Sequence, residues 1–182
     1  MKRVYLVHGW EASSKSDFFP WLKKELEKKN MPNTEEPKIE EWVGFLKKKI
    51  KEIDKETVFI GHSIGCQAVL RFLETLPKDV KVKKVILVAP WMQLDKERIK
   101  EEGEEVRKIV RPWMETPINW KKVRSHCIEF ICIFSDNDPY VPLSNRELFK
   151  KRLNAKSITL NNRHHFDMGS GIFKLPEILK FL

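Results

Sequence analysis

The ten residues T-V-F-I-G-H-S-I-G-C, Thr57 to Cys66, decide the fold. Thr57 to Ile60 is a short apolar run without polar alternation and reads as a strand buried on both faces. Directly after it comes Gly61-His62-Ser63-Ile64-Gly65, a G-x-S-x-G pattern. Then Ala68, Val69, Phe72, Leu73 and Leu76 recur at helical spacing. A serine in a sharp strand-to-helix turn between glycines is a nucleophile elbow. The reason is steric: the glycines admit close neighbouring backbone, and the turn holds the serine in a strained conformation. Its hydroxyl is thereby presented at the strand's carboxyl end, near a helix N-terminus that favours negative charge. The bare pattern recurs by chance in roughly one chain of this length in twenty. The strand-turn-helix setting weighs for a nucleophile and against Ser63 as a simple helix cap.

Working outward, four further runs have the same character. Arg3 to Val7 ends at His8-Gly9, and Lys84 to Ala89 ends at Pro90. Glu129 to Phe134 ends at Ser135-Asp136, and Ser157 to Leu160 at Asn161-Asn162. Amphipathic stretches lie between them: Phe19 to Lys29 (Phe19, Leu22, Leu26), a stripe of Trp42, Phe45, Leu46, Ile50 and Ile53, then Ser144 to Leu153 and Phe173 to Leu182. The segment Trp91 to His126 exceeds a simple crossover and is expected to hold two helices around Pro112 and Pro117, partly covering the site. Strand-helix alternation implies an α/β protein with right-handed crossovers and a doubly wound, mostly parallel sheet. With 182 residues, no repeat and no linker, residues 1–182 read as one domain.

Ligands of such a sheet sit outside the carboxyl ends of its strands. His8, Gly9, Trp10, His62, Ser63, Trp91, Asp136, Asp138, His164 and His165 fall on that edge. Asp54, Asp79 and His126 fall on the opposite edge and are poor catalytic candidates. A serine needs a base, and in this chain order an acid and then a histidine should follow it. Ser135-Asp136-Asn137-Asp138-Pro139 and Arg163-His164-His165-Phe166-Asp167 answer that demand. Asp138, deeper in its loop, is preferred to Asp136, which shapes the turn. His165 is preferred to His164 because Phe166 can anchor it in the core. The N–H groups of Ile64 and Trp10 are the expected oxyanion donors. Trp10 and Trp91 are candidates to line the substrate pocket, while Trp113 and Trp120 read as helix packing. His8 and His62 read as structural, Cys66 as core filler and Arg163 as solvated. A metal site at His164, His165 and Asp167 lacks a distant ligand group, and neither metal nor cofactor is expected.

The ordered set His8-Gly9-Trp10, Gly61 to Cys66, Asp138-Pro139-x-Val141-Pro142 and His165-Phe166 resembles the α/β-hydrolase superfamily. The short length, the Asn30-Met31-Pro32-Asn33 segment and the missing large cap are similar to its small serine-hydrolase branch, typified by retinoblastoma-binding protein 9. The resemblance implies a three-layer α/β/α sandwich with about six strands and no large cap. It also implies a Ser63-Asp138-His165 triad that hydrolyses esters or small amides. The chain departs from the branch at His164, where glycine is expected. Nothing in the sequence supports the protein partner behind the family name.

The net charge of +9 raises nucleic acid or an anionic membrane as partners. The lysines, however, interleave with glutamates as on solvated helix faces, no nucleic-acid motif accompanies them, and the composition resembles adaptation to heat. Val85 to Met92, interrupted by Pro90, is the longest apolar run, well short of the ~20 residues of a spanning helix. The Val4 to Val7 run is too short for a signal-peptide core. Three cysteines without C-x-x-C spacing exclude a disulfide scaffold and fit a reducing cytoplasm. The expected function is a carboxylesterase-type serine hydrolase of small-molecule substrates. The alternatives are a small peptidase or amidase on the same residues, and a non-catalytic binder with a basic surface. The oligomeric state is left open. Activity is expected to rise with pH as the histidine base loses its proton.

Overall fold

The computed structural model describes residues 3–22, 27–28 and 31–182. The strands are β1 (Val4–Val7), β2 (Glu27–Lys28), β3 (Val58–His62), β4 (Val82–Val88), β5 (Cys127–Ser135) and β6 (Lys156–Leu160). The helices are α1 (Ile39–Lys49), α2 (Ile64–Glu74), α3 (Lys96–Glu101), α4 (Glu104–Glu115), α5 (Trp120–Ser125) and α6 (Ser144–Leu153), with a closing 3-10 helix at Pro176–Phe181. The six strands form one parallel sheet in the order β2-β1-β3-β4-β5-β6. Leu6, Ile60, Ile86 and Ile131 pair across four neighbouring strands. Successive side chains of a strand face opposite sides, yet every residue of β1 and β3 is buried. Both faces of the central sheet are therefore covered, as the non-alternating runs predict.

The chain leaves β1 toward β2 on one side and returns through β3 on the other. That reversal puts the topological switch point between β1 and β3, where the loops after the two strands diverge and leave a crevice. Helix α2 packs on β3 and β1 and touches α1 and α5.

Three expectations need correction. Phe19 to Lys29 is not one helix. Phe19 and Leu22 are buried, but Glu27–Lys28 pairs with β1 as an edge strand, and residues 23–26 lie outside the described residues. The Trp91 to His126 segment holds three helices, and Pro112 sits inside α4 instead of dividing two of them. The break comes at Gly103, with φ +98, a conformation glycine adopts freely. The helix then stops at Glu115 because Thr116 precedes Pro117 and must be extended, at ψ 119. Finally, the C-terminal segment is a 3-10 helix that buries Leu175 and Ile178, three residues apart, and leaves Phe173 exposed.

The long segment is tied down by buried polar contacts. Arg71 of α2 donates to the carbonyls of Trp113 (3.1 Å) and Thr116 (2.8 Å) and to Gln67 Oε1 (3.2 Å). Trp113 donates its indole N–H to the Pro37 carbonyl at 2.9 Å and meets Trp42 edge-on, and Trp120 packs edge-on against Phe149. Outward-facing charges pair along α4, as in Arg107–Glu104, Lys108–Glu105 and Arg111–Glu115. Cys66 is buried with its Sγ–H aimed at the Val88 carbonyl, and burial pushes its thiol pKa well up, which suits inert filler.

Candidate active site

Ser63 stands between β3 and α2 with φ 52 and ψ −124, a left-handed strained backbone for a residue bearing a Cβ. The flanking glycines make room for it. A Cβ on Gly65 would lie 2.4 Å from the His8 carbonyl oxygen and 2.5 Å from that of Val7. A Cβ on Gly61 would lie 2.8 Å from Cys66 Cα. The loop after β1 passes beside the elbow, since a Cβ on Gly9 would be 3.3 Å from Ser63 Cβ. As the first residue of α2, Ile64 has an N–H with no partner inside the helix.

His165, in the loop after β6, brings Nε2 to 2.9 Å from Ser63 Oγ. Its Nδ1 lies 2.8 Å and 3.1 Å from the two oxygens of Asp138, in the loop after β5. An ionised carboxylate only accepts, so Nδ1 carries the hydrogen and Nε2 offers its lone pair to the serine hydroxyl. Asp138 is itself fixed: Oδ1 accepts the N–H groups of Tyr140 (2.9 Å) and Val141 (3.0 Å). The Tyr140 ring meets His165 edge-on. Trp91 points its indole N–H at Ser63 Oγ from 3.4 Å.

The neighbouring candidates do other work. Asp136 Oδ1 accepts the Asn162 N–H at 2.8 Å, Ser135 Oγ that of Arg163 at 3.0 Å, and Asn137 Oδ1 that of His164 at 2.9 Å. These bonds stitch the loop after β5 to the loop after β6. His164 has φ 45, in the left-handed region that favours glycine. That conformation accounts for the glycine expected there. It also leaves the His164 ring beside Asn137, away from Ser63. Phe166 is fully buried, anchoring the loop on the core side of His165. Arg163 is paired with Glu177 at 2.9 Å. His8 donates from Nδ1 to the Gly9 carbonyl and accepts the Met31 N–H at Nε2, and burial lowers its pKa, which suits a neutral structural ring. Among the described residues no cluster of three or more His, Cys, Asp or Glu is placed to hold a metal ion.

Ser63 and His165 open onto a cavity of about 450 Å³ that Trp10 and Trp91 also line. Leu94, Ile99, Val106 and Val110 are among its apolar lining residues, and Glu11, Glu102 and Asp167 among its acidic ones. Trp10 is steadied by its indole N–H on the Glu35 carbonyl, at 2.8 Å. These four apolar residues come from α3, α4 and the chain before them, whose helical periodicity alone does not say which face meets the cavity. Sequence reasoning also passed over Asp17, whose carboxylate lies 3.6 Å from His62. Its place in the loop after β1, on the carboxyl edge, was the available clue.

Across known proteins, this chain is similar to the YdeN protein of Bacillus subtilis (strain 168), with 28% identity over 188 residues, all of this chain and 94% of that one. It is similar to the rat (Rattus norvegicus) serine hydrolase RBBP9, with 29% identity over 169 residues, 88% of this chain and 79% of the other. The crystal structure of the ydeN gene product from B. subtilis superimposes with a TM-score of 0.88 at 26% identity, over 100% of this chain and 96% of that one. The fold is thus that of the α/β hydrolases. Residues 4–182 match the sequence pattern of the serine hydrolases, and the chain belongs to the serine hydrolase family.

Proposed function

We propose that this hydrolase is a carboxylesterase-type enzyme acting on small apolar esters through Ser63, His165 and Asp138. The observation that carries the reading is the continuous chain from Ser63 Oγ to His165 Nε2 (2.9 Å) and from Nδ1 to Asp138 (2.8 Å), open to an apolar cavity. Ser63 Oγ attacks the acyl carbon while His165 Nε2 takes its proton. Asp138 holds the tautomer and stabilises the imidazolium, and the N–H groups of Ile64 and Trp10 receive the oxyanion. The alcohol leaves with the proton from His165. Water, deprotonated by the same nitrogen, then releases the carboxylic acid and restores Ser63. The apolar lining supplied by Leu94, Ile99, Val106 and Val110 suits the acyl chain. Residues 1–182 act as one unit. Cys66, Cys127 and Cys132 are all free thiols, which fits a reducing cytoplasm.

The test is covalent labelling by a fluorophosphonate probe with peptide mapping, in wild type, Ser63→Ala and His165→Ala. Labelling at Ser63 that both substitutions abolish is the expected result, and no labelling of a folded wild type refutes the reading. Turnover of p-nitrophenyl esters well above that of aminoacyl amides is expected, and the reverse order assigns a peptidase or amidase.

A further inference from the structure

His62 precedes the nucleophile, is buried, and faces a second carboxylate. Its Nε2 lies 2.8 Å from the carbonyl oxygen of His165, which can only accept, so Nε2 carries a hydrogen. Its Nδ1 makes no hydrogen bond and lies 3.6 Å from Asp17 Oδ2. A bare lone pair there would be repelled by the carboxylate, whereas an N–H is attracted, so the geometry favours the doubly protonated ring. Asp17 is 7% exposed and sits at φ 55, and its Oδ1 accepts the Met168 N–H at 3.1 Å. Two partly buried polar contacts thus grip the chain around His165, at the carbonyl of residue 165 and the amide of residue 168. Phe18 and Phe19 close on the His62 ring, and the His165 ring lies 5.3 Å from it. The other ionisable groups acting on this ring are His8 and Asp167.

We infer that Asp17 and His62 form a buried charged pair that positions His165 against Ser63, a role in the reaction beyond packing. His62 is joined to Ser63 by one peptide bond and to His165 by one hydrogen bond, so it sets the distance between nucleophile and base. A misplacement of about 1 Å costs ~10²-fold in rate. The inference rests on Ser63 and His165 being the reacting pair.

The experiment uses the full chain with Asp17→Gly, Asp17→Asn, His62→Ala and His62→Gln. Glycine removes the carboxylate without strain at a left-handed position, while the two amide substitutions each keep one neutral hydrogen bond. The readouts are kcat and KM on p-nitrophenyl butyrate from pH 5 to 10, the fluorophosphonate labelling rate, and Tm. Asp17→Gly and His62→Ala are expected to lower kcat ~10–100-fold with KM nearly unchanged. Asp17→Asn and His62→Gln should recover most of that loss. In wild type kcat should decline at alkaline pH as His62 loses its Nδ1 proton, and this decline should be absent in Asp17→Asn. Should the glycine or alanine variant not fold, the alkaline decline of wild type against Asp17→Asn decides alone. Variants that lose only Tm, with wild-type kcat and pH profile, overturn the inference. A wild type that no probe labels overturns it together with the function above, since there is then no base to position.

Discussion

Gly65→Ala is the sharpest probe of the elbow. The added Cβ would lie 2.4 Å from the His8 carbonyl oxygen and 2.5 Å from that of Val7, where real Cβ atoms essentially never come under 3.0 Å. Both opposing atoms are backbone, so no side chain can swing away. Helix α2 and strand β1 must separate by about 0.6 Å, more than the ~0.5 Å that a productive site tolerates. The separation falls between the proposed oxyanion donors, because Ile64 opens α2 and Trp10 follows β1 by three residues. Losing one such donor costs ~3–4 kcal/mol in the transition state, so kcat/KM should fall about 10²–10³-fold. Folding stability should fall by ~1–3 kcal/mol from the overpacking. Gly44→Ala is the internal control: it is an exposed residue of α1 with nothing within 4 Å of its added Cβ. It should stabilise by ~0.5–1 kcal/mol and leave turnover alone. Urea denaturation and p-nitrophenyl butyrate kinetics on both variants provide the comparison. A Gly65→Ala enzyme with wild-type stability and turnover would refute the steric account of the turn.

Asp138→Asn keeps the shape but allows the wrong His165 tautomer, and kcat should fall ~10⁴-fold with little change in Tm, read by steady-state kinetics and a thermal melt. Arg71→Met strands the carbonyls of Trp113 and Thr116 and should cost ~2–4 kcal/mol in urea denaturation, loosening α4 before the sheet. The pH dependence of Tm tests the inner pair. Burial opposes charge on His62, but the Asp17 carboxylate and the His165 carbonyl outweigh it and raise its pKa. Stability from that proton is complete below the ordinary imidazole value of ~6.5 and is lost as pH rises through the raised value. Burial likewise opposes charge on Asp17, yet His62 holds its pKa low, so its contribution is present above ~4 and lost as pH falls further. Wild-type Tm should therefore decline toward alkaline pH more steeply than that of His62→Gln, and equal slopes would contradict the pairing.

The central strands were legible because burial on both faces leaves no polar alternation in Val4–Val7 or Val58–His62, a pattern that local sequence carries by itself. The elbow was legible because glycine is dictated by backbone approach. Asp138 and His165 could be ranked above Asp136 and His164 only by loop depth and the neighbouring Phe166. The hydrogen bonds that separate their roles run between loops some 27 residues apart. Phe19 to Lys29 misled because apolar residues at helical spacing also serve a chain that dips into the core and then adds an edge strand.

The amino-acid sequence by itself determined the alternation of buried strands and helices, the strained turn at Ser63 and the order in which the proposed acid and base follow it. These rest on local sterics and on the period of burial. Tertiary structure alone decided that His62 meets Asp17 next to His165, and that Ile99 of α3 and Val106 and Val110 of α4 line the same cavity as Ser63. Such contacts join segments distant in the chain, and their energies depend on distance and desolvation, which no local pattern records.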